Sequence, residues 1–321
     1  MKNKRFSAFI LAAFSSLIVH AIVMAQSDPA FLPSIEKINP IPTQMNYQNS
    51  FEVNNEGGHL QGVQFLHANG HDYYVVSGSS SSYSYYSIIK AGKENGVISI
   101  NKILDKPFKH AGGFQIHKNL MAIGIEDNNT KDKSKVLVWR LEDPEKPPKE
   151  PIITIERAGA PKRATAGSVG IVETNGVLLV VVGDWDSEHL DFYSANIVGK
   201  TPYKAELKCS LDTKLIDKSQ WTDENWMSYQ NINIIKDKSN QLYLAGMTTS
   251  KTKEDIIDLY ELHSDNQSAY QLKKVYTKKF PGNNTTKFRW GSGVCALPDG
   301  KLTILSCTEN IQGSSVIHLY K

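Results

Sequence analysis

The chain contains little cysteine and lacks the short motifs of several large enzyme classes. Only Cys209, Cys295 and Cys307 occur among 321 residues, and no CxxC pair is present. An HExxH motif, a Walker phosphate loop and a GxSxG turn are also absent. With so few cysteines, a disulfide-dense framework is excluded. The absent motifs are the usual signatures of zinc peptidases, P-loop NTPases and α/β hydrolases, so the sequence does not point to any of these classes. The sequence leaves open whether Cys295 and Cys307 form a disulfide or remain two buried thiols.

The chain also lacks a charge excess outside its N-terminal stretch. The formal net charge is +3, and residues 1–25 hold Lys2, Lys4 and Arg5 without any acid, so residues 26–321 are neutral overall. A neutral chain gives no basis for a nucleic-acid partner. We therefore expect no nucleic-acid binding.

Only one long hydrophobic run is present, at the N-terminus. It follows the basic residues just named and ends in Val23-Met24-Ala25, which has the small residues of a signal-peptidase site before Gln26. The sequence predicts a signal peptide at 1–25 and a secreted or periplasmic protein; an uncleaved anchor is the alternative. No later run is apolar enough to cross a membrane, so we expect no integral membrane segment after cleavage. Residues 26–321 are predicted to form a single domain.

What the sequence does contain is a fivefold repeat. Each copy is an apolar strand followed within about ten residues by a second apolar strand, and the copies start near residues 59, 110, 167, 228 and 290. Aligning the copies puts Gly62, Gly113, Gly170, Asn231 and Gly293 in register. Short strands that recur with a period of about 50 to 60 residues are typical of β-propeller blades.

The repeat therefore predicts an all-β fold, a five-bladed β-propeller of four-stranded antiparallel blades. The fifth copy stops one strand short of the others. Because an incomplete blade leaves an unpaired edge, we expect an N-terminal strand within residues 41–53 to close the ring.

The predicted topology brings the chain's unusual polar and aromatic residues to one end of the ring. The starts of the first strands and the loops after the second strands meet there, and such loops concentrate binding groups. We predict a ligand-binding site in this region, formed by His59, His110, Asp127, Asp184, Trp185, Asp186 and Trp290.

These residue types are compatible with several roles. The two histidines are candidates for ligand contacts, metal ligands, acid–base groups or structural caps of their strands. The tryptophans are candidates for stacking against a sugar or for packing between blades. The loop carboxylates are candidates for Ca²⁺ binding, although no contiguous calcium loop is present, and otherwise for bonding their own backbone. Five basic residues lead into the first strands and either bind an anion or pair with the loop acids, namely Lys109, Arg157, Lys162, Arg163 and Arg289.

The repeat over residues 50–321 resembles five-bladed propellers, a group that includes tachylectin-type lectins and furanosidase-type glycoside hydrolases. The resemblance implies either sugar binding or hydrolysis. No motif with a known catalytic spacing joins the site residues, so the main interpretation is an exported, non-enzymatic monomer that binds a glycan or a protein. The alternative is a secreted hydrolase that cleaves a glycosidic or phosphate ester bond with His59, His110 and the acids Asp127, Asp184 and Asp186.

Overall fold

The structure is a computed structural model that describes residues 31–54, 56, 58–264, 269–297 and 301–321. The predicted signal peptide lies outside these residues. Within them the chain forms one short helix, α1 (Phe31–Lys37), and twenty strands. None of the described helices is long and apolar enough to span a membrane. The prediction of an all-β fold is therefore confirmed.

The strands follow one another closely along the chain. Their bounds are β1 (Thr43–Gln48), β2 (Leu60–Ala68), β3 (His71–Ser79), β4 (Tyr83–Lys90), β5 (Gly96–Asp105), β6 (His110–His117), β7 (Leu120–Glu126), β8 (Lys133–Arg140), β9 (Ile153–Ala158), β10 (Ser168–Thr174), β11 (Val177–Gly183), β12 (His189–Asn196), β13 (Ala205–Asp212), β14 (Asn231–Lys236), β15 (Leu242–Thr249), β16 (Asp255–Ser264), β17 (Tyr270–Phe280), β18 (Ser292–Ala296), β19 (Leu302–Cys307) and β20 (Ser314–Tyr320).

Successive strands pair antiparallel in runs of four. Group 1 is β2–β5, group 2 is β6–β9, group 3 is β10–β13 and group 4 is β14–β17. Group 5 contains β18, β19 and β20, and its fourth strand is β1, which pairs with β20 from Thr43 opposite Leu319 to Gln48 opposite Ser314. The N-terminal segment thus pairs with the last strand of the fifth repeat.

The core lies between neighbouring groups, and this explains the long apolar runs of the inner strands. In β11 (VLLVVVG), Val180 and Val182 pack into a cluster shared with group 2. Leu179 and Val181 pack into a cluster shared with group 4. Since alternate side chains of a strand point to opposite faces, a strand buried on both faces needs apolar residues throughout.

The aligned residues of the repeat lie where the first strands approach one another. A Cβ atom built on Gly113 would lie 2.2 Å from the carbonyl oxygen of Gln230 and 2.6 Å from Asn231 Oδ1. One built on Gly293 would lie 2.1 Å from the carbonyl oxygen of Val63. The glycines are thus required by close backbone approach, and the Asn231 amide occupies space beside Gly113.

Side-chain amides fill the space between the first strands. Gln115 Oε1 accepts hydrogen bonds of 2.8 Å from the backbone N–H groups of both Ile171 and Ile234, and Gln115 Nε2 donates to the Ile234 carbonyl oxygen. Asn233 Oδ1 accepts a 2.8 Å hydrogen bond from Val294 N–H. The first strands of groups 2, 3, 4 and 5 are therefore tied together through buried amides.

Cys295 and Cys307 are free thiols. In the register of β18 and β19, Cys295 lies opposite Thr303, and Cys307 lies beyond the last pair of this ladder. Burial raises the pKa of Cys307 well above its usual range, so this thiol stays protonated and packs as a small apolar residue. Of the two possibilities left open by the sequence, the structure has the free thiols.

Candidate functional site

Antiparallel pairing brings the start of each first strand next to the end of the second strand. His110, the first residue of β6, lies opposite Glu126, the last residue of β7. The carbonyl oxygen of His59 accepts a 3.0 Å hydrogen bond from the N–H of Ser79 at the end of β3. We call this end of the molecule the mouth. Trp290 precedes β18 at the same end, and Asp127, Asp184, Trp185 and Asp186 follow second strands there.

His59 and His110 come together at the mouth around one buried amide. Their ring centroids are 6.2 Å apart and the ring planes are 78° from parallel. Gln61 Nε2 lies 2.9 Å from His110 Nε2 and 3.0 Å from His59 Nε2. We call His59 and His110 the imidazole pair. Gln61 is not apparent as a site residue from the sequence, although it follows His59 by two residues at the start of β2.

A buried carboxylate stands behind His110. Glu126 Oε1 lies 3.1 Å from His110 Nδ1, and Glu126 Oε2 accepts a 3.0 Å hydrogen bond from Ala166 N–H. Glu126 is fully buried, and within the described residues neither Oε1 nor His110 Nδ1 has an aligned hydrogen-bond partner. The contact is therefore mainly electrostatic, between the carboxylate oxygen and the imidazole nitrogen.

His59 is held in its neutral form. Burial lowers its pKa below the ordinary 6.5, and the nearby His110 lowers it further. A 2.7 Å contact between His59 Nδ1 and the Leu60 carbonyl oxygen opposes this shift. Since the carbonyl oxygen only accepts, Nδ1 carries the proton, and the Nε2 lone pair faces the Gln61 amide nitrogen 3.0 Å away.

Asp127 shapes its own loop. Its Oδ1 accepts a 3.0 Å hydrogen bond from Asn129 N–H and a longer one from Thr130 N–H, and Lys133 Nζ lies 3.5 Å from Oδ2. Burial opposes ionisation of Asp127, but these contacts outweigh burial and lower its pKa. This is the arrangement of an Asx turn, in which the carboxylate satisfies nearby backbone donors.

Asp184 and Asp186 also have local partners. Asp184 Oδ2 lies 2.7 Å from His189 Nδ1, and burial raises the pKa of this aspartate although His189 opposes the shift. Asp186 accepts a 2.5 Å hydrogen bond from the Ser228 hydroxyl. It belongs to a 3₁₀ turn at Trp185–Ser187, in which Asp186 and Ser187 have positive φ values of 62° and 53°.

The loop acids do not converge on a common point. Over residues 31–54, 56, 58–264, 269–297 and 301–321, no group of three or more His, Cys, Asp or Glu side chains is arranged to hold a metal ion. The carboxylates considered as Ca²⁺ ligands are instead distributed around the mouth, with Asp127, Asp184 and Asp186 each bonded within or next to its own loop.

A lysine ammonium group lies over the ring of each tryptophan at the mouth. Lys131 Nζ lies 3.5 Å from the Trp185 ring centroid, and Lys287 Nζ lies 4.4 Å from that of Trp290. Both indoles remain partly exposed. Such cation–π contacts hold the rings at the rim and add positive charge beside them. Stacking of a ligand on these rings stays a prediction.

Two of the basic residues pair with an acid that the sequence analysis did not consider. Arg157 and Arg163 both bind Asp191 on β12, with shortest N–O distances of 2.5 Å. Burial opposes ionisation of Asp191, but the two arginines and Ser210 lower its pKa to about 2. These two arginines therefore pair with a strand acid rather than with the loop acids, and anion binding by them stays a prediction. Arg289 remains close enough to His59 to lower the pKa of that imidazole.

No protein-family model matches the sequence, and no curated protein matches it significantly. Several solved structures are similar in outline. The catalytic domain of a GH62 α-L-arabinofuranosidase from Coprinopsis cinerea is 10% identical, with a TM-score of 0.48 over 86% of this chain and 96% of that one. A bifunctional GH43-CE protein from Bacteroides eggerthii is 12% identical at the same TM-score, over 86% of this chain and 34% of that one. A GH32 β-fructofuranosidase from Bombyx mori is 9% identical, with a TM-score of 0.46 over 87% of this chain and 62% of that one.

These similar structures are named after glycoside hydrolase families, in agreement with the resemblance to furanosidase-type hydrolases. They contradict the main interpretation of the chain as a non-enzymatic binding protein and agree better with the alternative, a hydrolase. At identities of 9–12% and TM-scores below 0.5, they carry no information on which residues react or on the substrate. The chemistry has to be argued from the mouth itself.

Proposed function

We propose that the chain is a hydrolase whose acid–base centre is the imidazole pair at the mouth of a five-bladed β-propeller. The five core clusters support the blade count, because each one joins two successive groups and the last one joins group 5 to group 1. The pairing of β1 with β20 supports closure of the ring by the N-terminal strand. The hydrolase itself rests on the convergence of the imidazole pair on Gln61, with Glu126 behind His110.

The two imidazoles are suited to different proton transfers. His59 is neutral, and its Nε2 lone pair accepts a proton from the attacking water once the Gln61 amide turns away from it. Protonated His110, with the Glu126 carboxylate behind it, donates a proton from Nε2 to the leaving oxygen. Water then forms the new bond to the reacting atom as the bond to the leaving oxygen breaks. Proton donation from His110 Nε2 requires the Gln61 amide to move its nitrogen away from that atom as well.

Of the two bond types left open by the sequence, the geometry favours a phosphate ester. Glycosidic hydrolysis uses two carboxylates that flank the scissile bond. Glu126 faces His110 Nδ1 from behind and is fully buried, so it is not positioned to contact a sugar ring. A phosphate needs positive charge and acid–base groups, which Arg289 and the imidazole pair supply near one another.

The test is the turnover of 4-nitrophenyl phosphate, bis(4-nitrophenyl) phosphate and a panel of 4-nitrophenyl glycosides. We expect hydrolysis of a phosphate ester, and a loss of at least about 100-fold in kcat/KM when His59 and His110 are both replaced with alanine. The matched control is His67→Ala, because His67 lies at the opposite end of β2 from the mouth and pairs with Asp72. Turnover of glycosides alone would refute the phosphate assignment, and unchanged turnover in the double variant would refute the imidazole pair.

Replacing Glu126 with glutamine tests the role of its charge. The variant keeps the shape of the side chain and an oxygen for Ala166 N–H, but it removes the negative charge next to His110. We expect kcat to fall roughly 10- to 100-fold while KM changes little, since the charge acts on a proton-transfer state. Glu142→Gln, at an exposed carboxylate that follows β8 at the end away from the mouth, is the control. A change in KM alone would contradict this role.

A further inference from the structure

A groove runs along the edge of the mouth between groups 5 and 1. Its cavity measures about 460 Å³. One wall is formed by residues 49–54, which follow β1, and the other by residues 311–313, which precede β20. Binding sites for small molecules have volumes of about 300–1,000 Å³, so the groove has the size for a small ligand.

Both walls are attached to the backbone next to His59. The Asn54 carbonyl oxygen at the end of the first wall accepts a 3.1 Å hydrogen bond from Ser81 N–H, and Ser79 in the same loop bonds the backbone of His59. On the other side, the Glu309 carbonyl oxygen accepts a 2.7 Å hydrogen bond from Leu60 N–H, two residues before the second wall begins. Both walls of the groove are therefore held close to the chain segment that carries His59.

The lining of the groove combines one aromatic ring with exposed polar side chains. The Phe51 side chain is 41% exposed. Ser50, Glu52 and Gln312 are exposed, and their side chains make no hydrogen bond within the described residues. A hydroxyl, a carboxylate and an amide next to an aromatic face suit a ligand that has both an apolar face and many hydroxyl groups. A lipid chain would leave these polar groups unpaired, which disfavours it as the occupant.

We propose that this groove binds the sugar part of the substrate, so that the hydrolysed bond is the ester of a sugar phosphate. The inference rests on the proposed function, because it takes the imidazole pair as the reacting centre. The phosphate lies next to His59 and His110, and the sugar extends into the groove with one face on Phe51. Gln312, Glu52 and Ser50 bond its hydroxyl groups.

The test compares hexose 6-phosphates with ethyl phosphate, which is too short to reach the groove, in the wild type and in Phe51→Ala. We expect kcat/KM of the wild type to favour a hexose 6-phosphate. In Phe51→Ala, KM for that substrate should rise about tenfold, as expected for the loss of one ring contact, while KM for ethyl phosphate stays the same. Ile41→Ala is the control, because Ile41 is 75% exposed and outside the groove.

Calorimetric titration with methyl glycosides of glucose, galactose, mannose and xylose separates the inference from the proposed function. Binding of one of these sugars by the wild type, weakened in Phe51→Ala, supports the groove as a sugar site even when no phosphate ester turns over. Hydrolysis of ethyl phosphate with no preference for hexose phosphates, together with no sugar binding, overturns the inference and leaves the proposed function standing.

Discussion

A chain that begins at Asn49 is expected not to fold. The truncation removes β1, which pairs with β20 over six residues, and leaves β20 as an unpaired edge. It also removes the fully buried side chains of Ile35 and Tyr47 and the nearly buried side chain of Ile38. At about 1.5–3 kcal/mol for each large buried side chain, their loss alone is comparable to the stability of a typical domain, about 5–15 kcal/mol.

Circular dichroism and solubility after expression measure this effect. A chain that begins at Ile41 is the graded control, because it keeps β1 but lacks α1, which packs against β17 and β19. We expect this longer chain to fold with a lower melting temperature. If the chain beginning at Asn49 melts like the parent, β1 does not close the fold.

Replacing Gly113 with alanine is expected to be the most destabilising single substitution that we propose. The new methyl group would lie 2.2 Å from a backbone oxygen of Gln230, so the strands have to move apart. The backbone cannot shift freely, because Gly113 N–H donates a 2.9 Å hydrogen bond to the Gly167 carbonyl oxygen. We expect a loss of about 3 kcal/mol or more in the free energy of unfolding, and a melting temperature lower by roughly 6–12 °C.

The matched control is Gly92→Ala. A Cβ atom at Gly92 has no heavy atom within 4 Å, and the backbone there does not have a positive φ. The free energy of unfolding of this variant should differ from that of the parent by less than about 0.5 kcal/mol. Equal melting temperatures for the two variants would show that the first strands are not in close contact at Gly113.

The sequence predicts the strands better than it predicts where they end. In the fourth repeat, the segment YQLKKVYTKKF predicts a fourth strand, and β17 (Tyr270–Phe280) has these bounds. In the third repeat, the sequence does not predict the 3₁₀ turn that follows the end of β11 at Gly183. The reason is that Asp186 and Ser187 adopt positive φ values, which are uncommon for residues other than glycine and are not signalled by the residue types.

The position of the candidate site could be predicted, but the partners of its side chains could not. His59 and His110 meet at the mouth because equivalent positions of successive repeats lie side by side, a consequence of the repeat register. The pairing of Arg163 with Asp191 depends on which loop folds over which strand, and no local pattern encodes that contact. Gln61 likewise appears as one polar residue in an apolar strand, and only the position of His110 gives it a role.

The buried amide of Gln115 has a consequence for how this chain can evolve. In many repeat proteins each unit contacts only its neighbours, so units are gained, lost or exchanged with little effect elsewhere. Here a single side chain of group 2 bonds the backbone of both group 3 and group 4. Duplicating or deleting a repeat would separate these partners and leave backbone N–H groups unpaired in the interior. The copies are thus unequal parts of one structure, because Gln115 makes contacts that involve three of them at once.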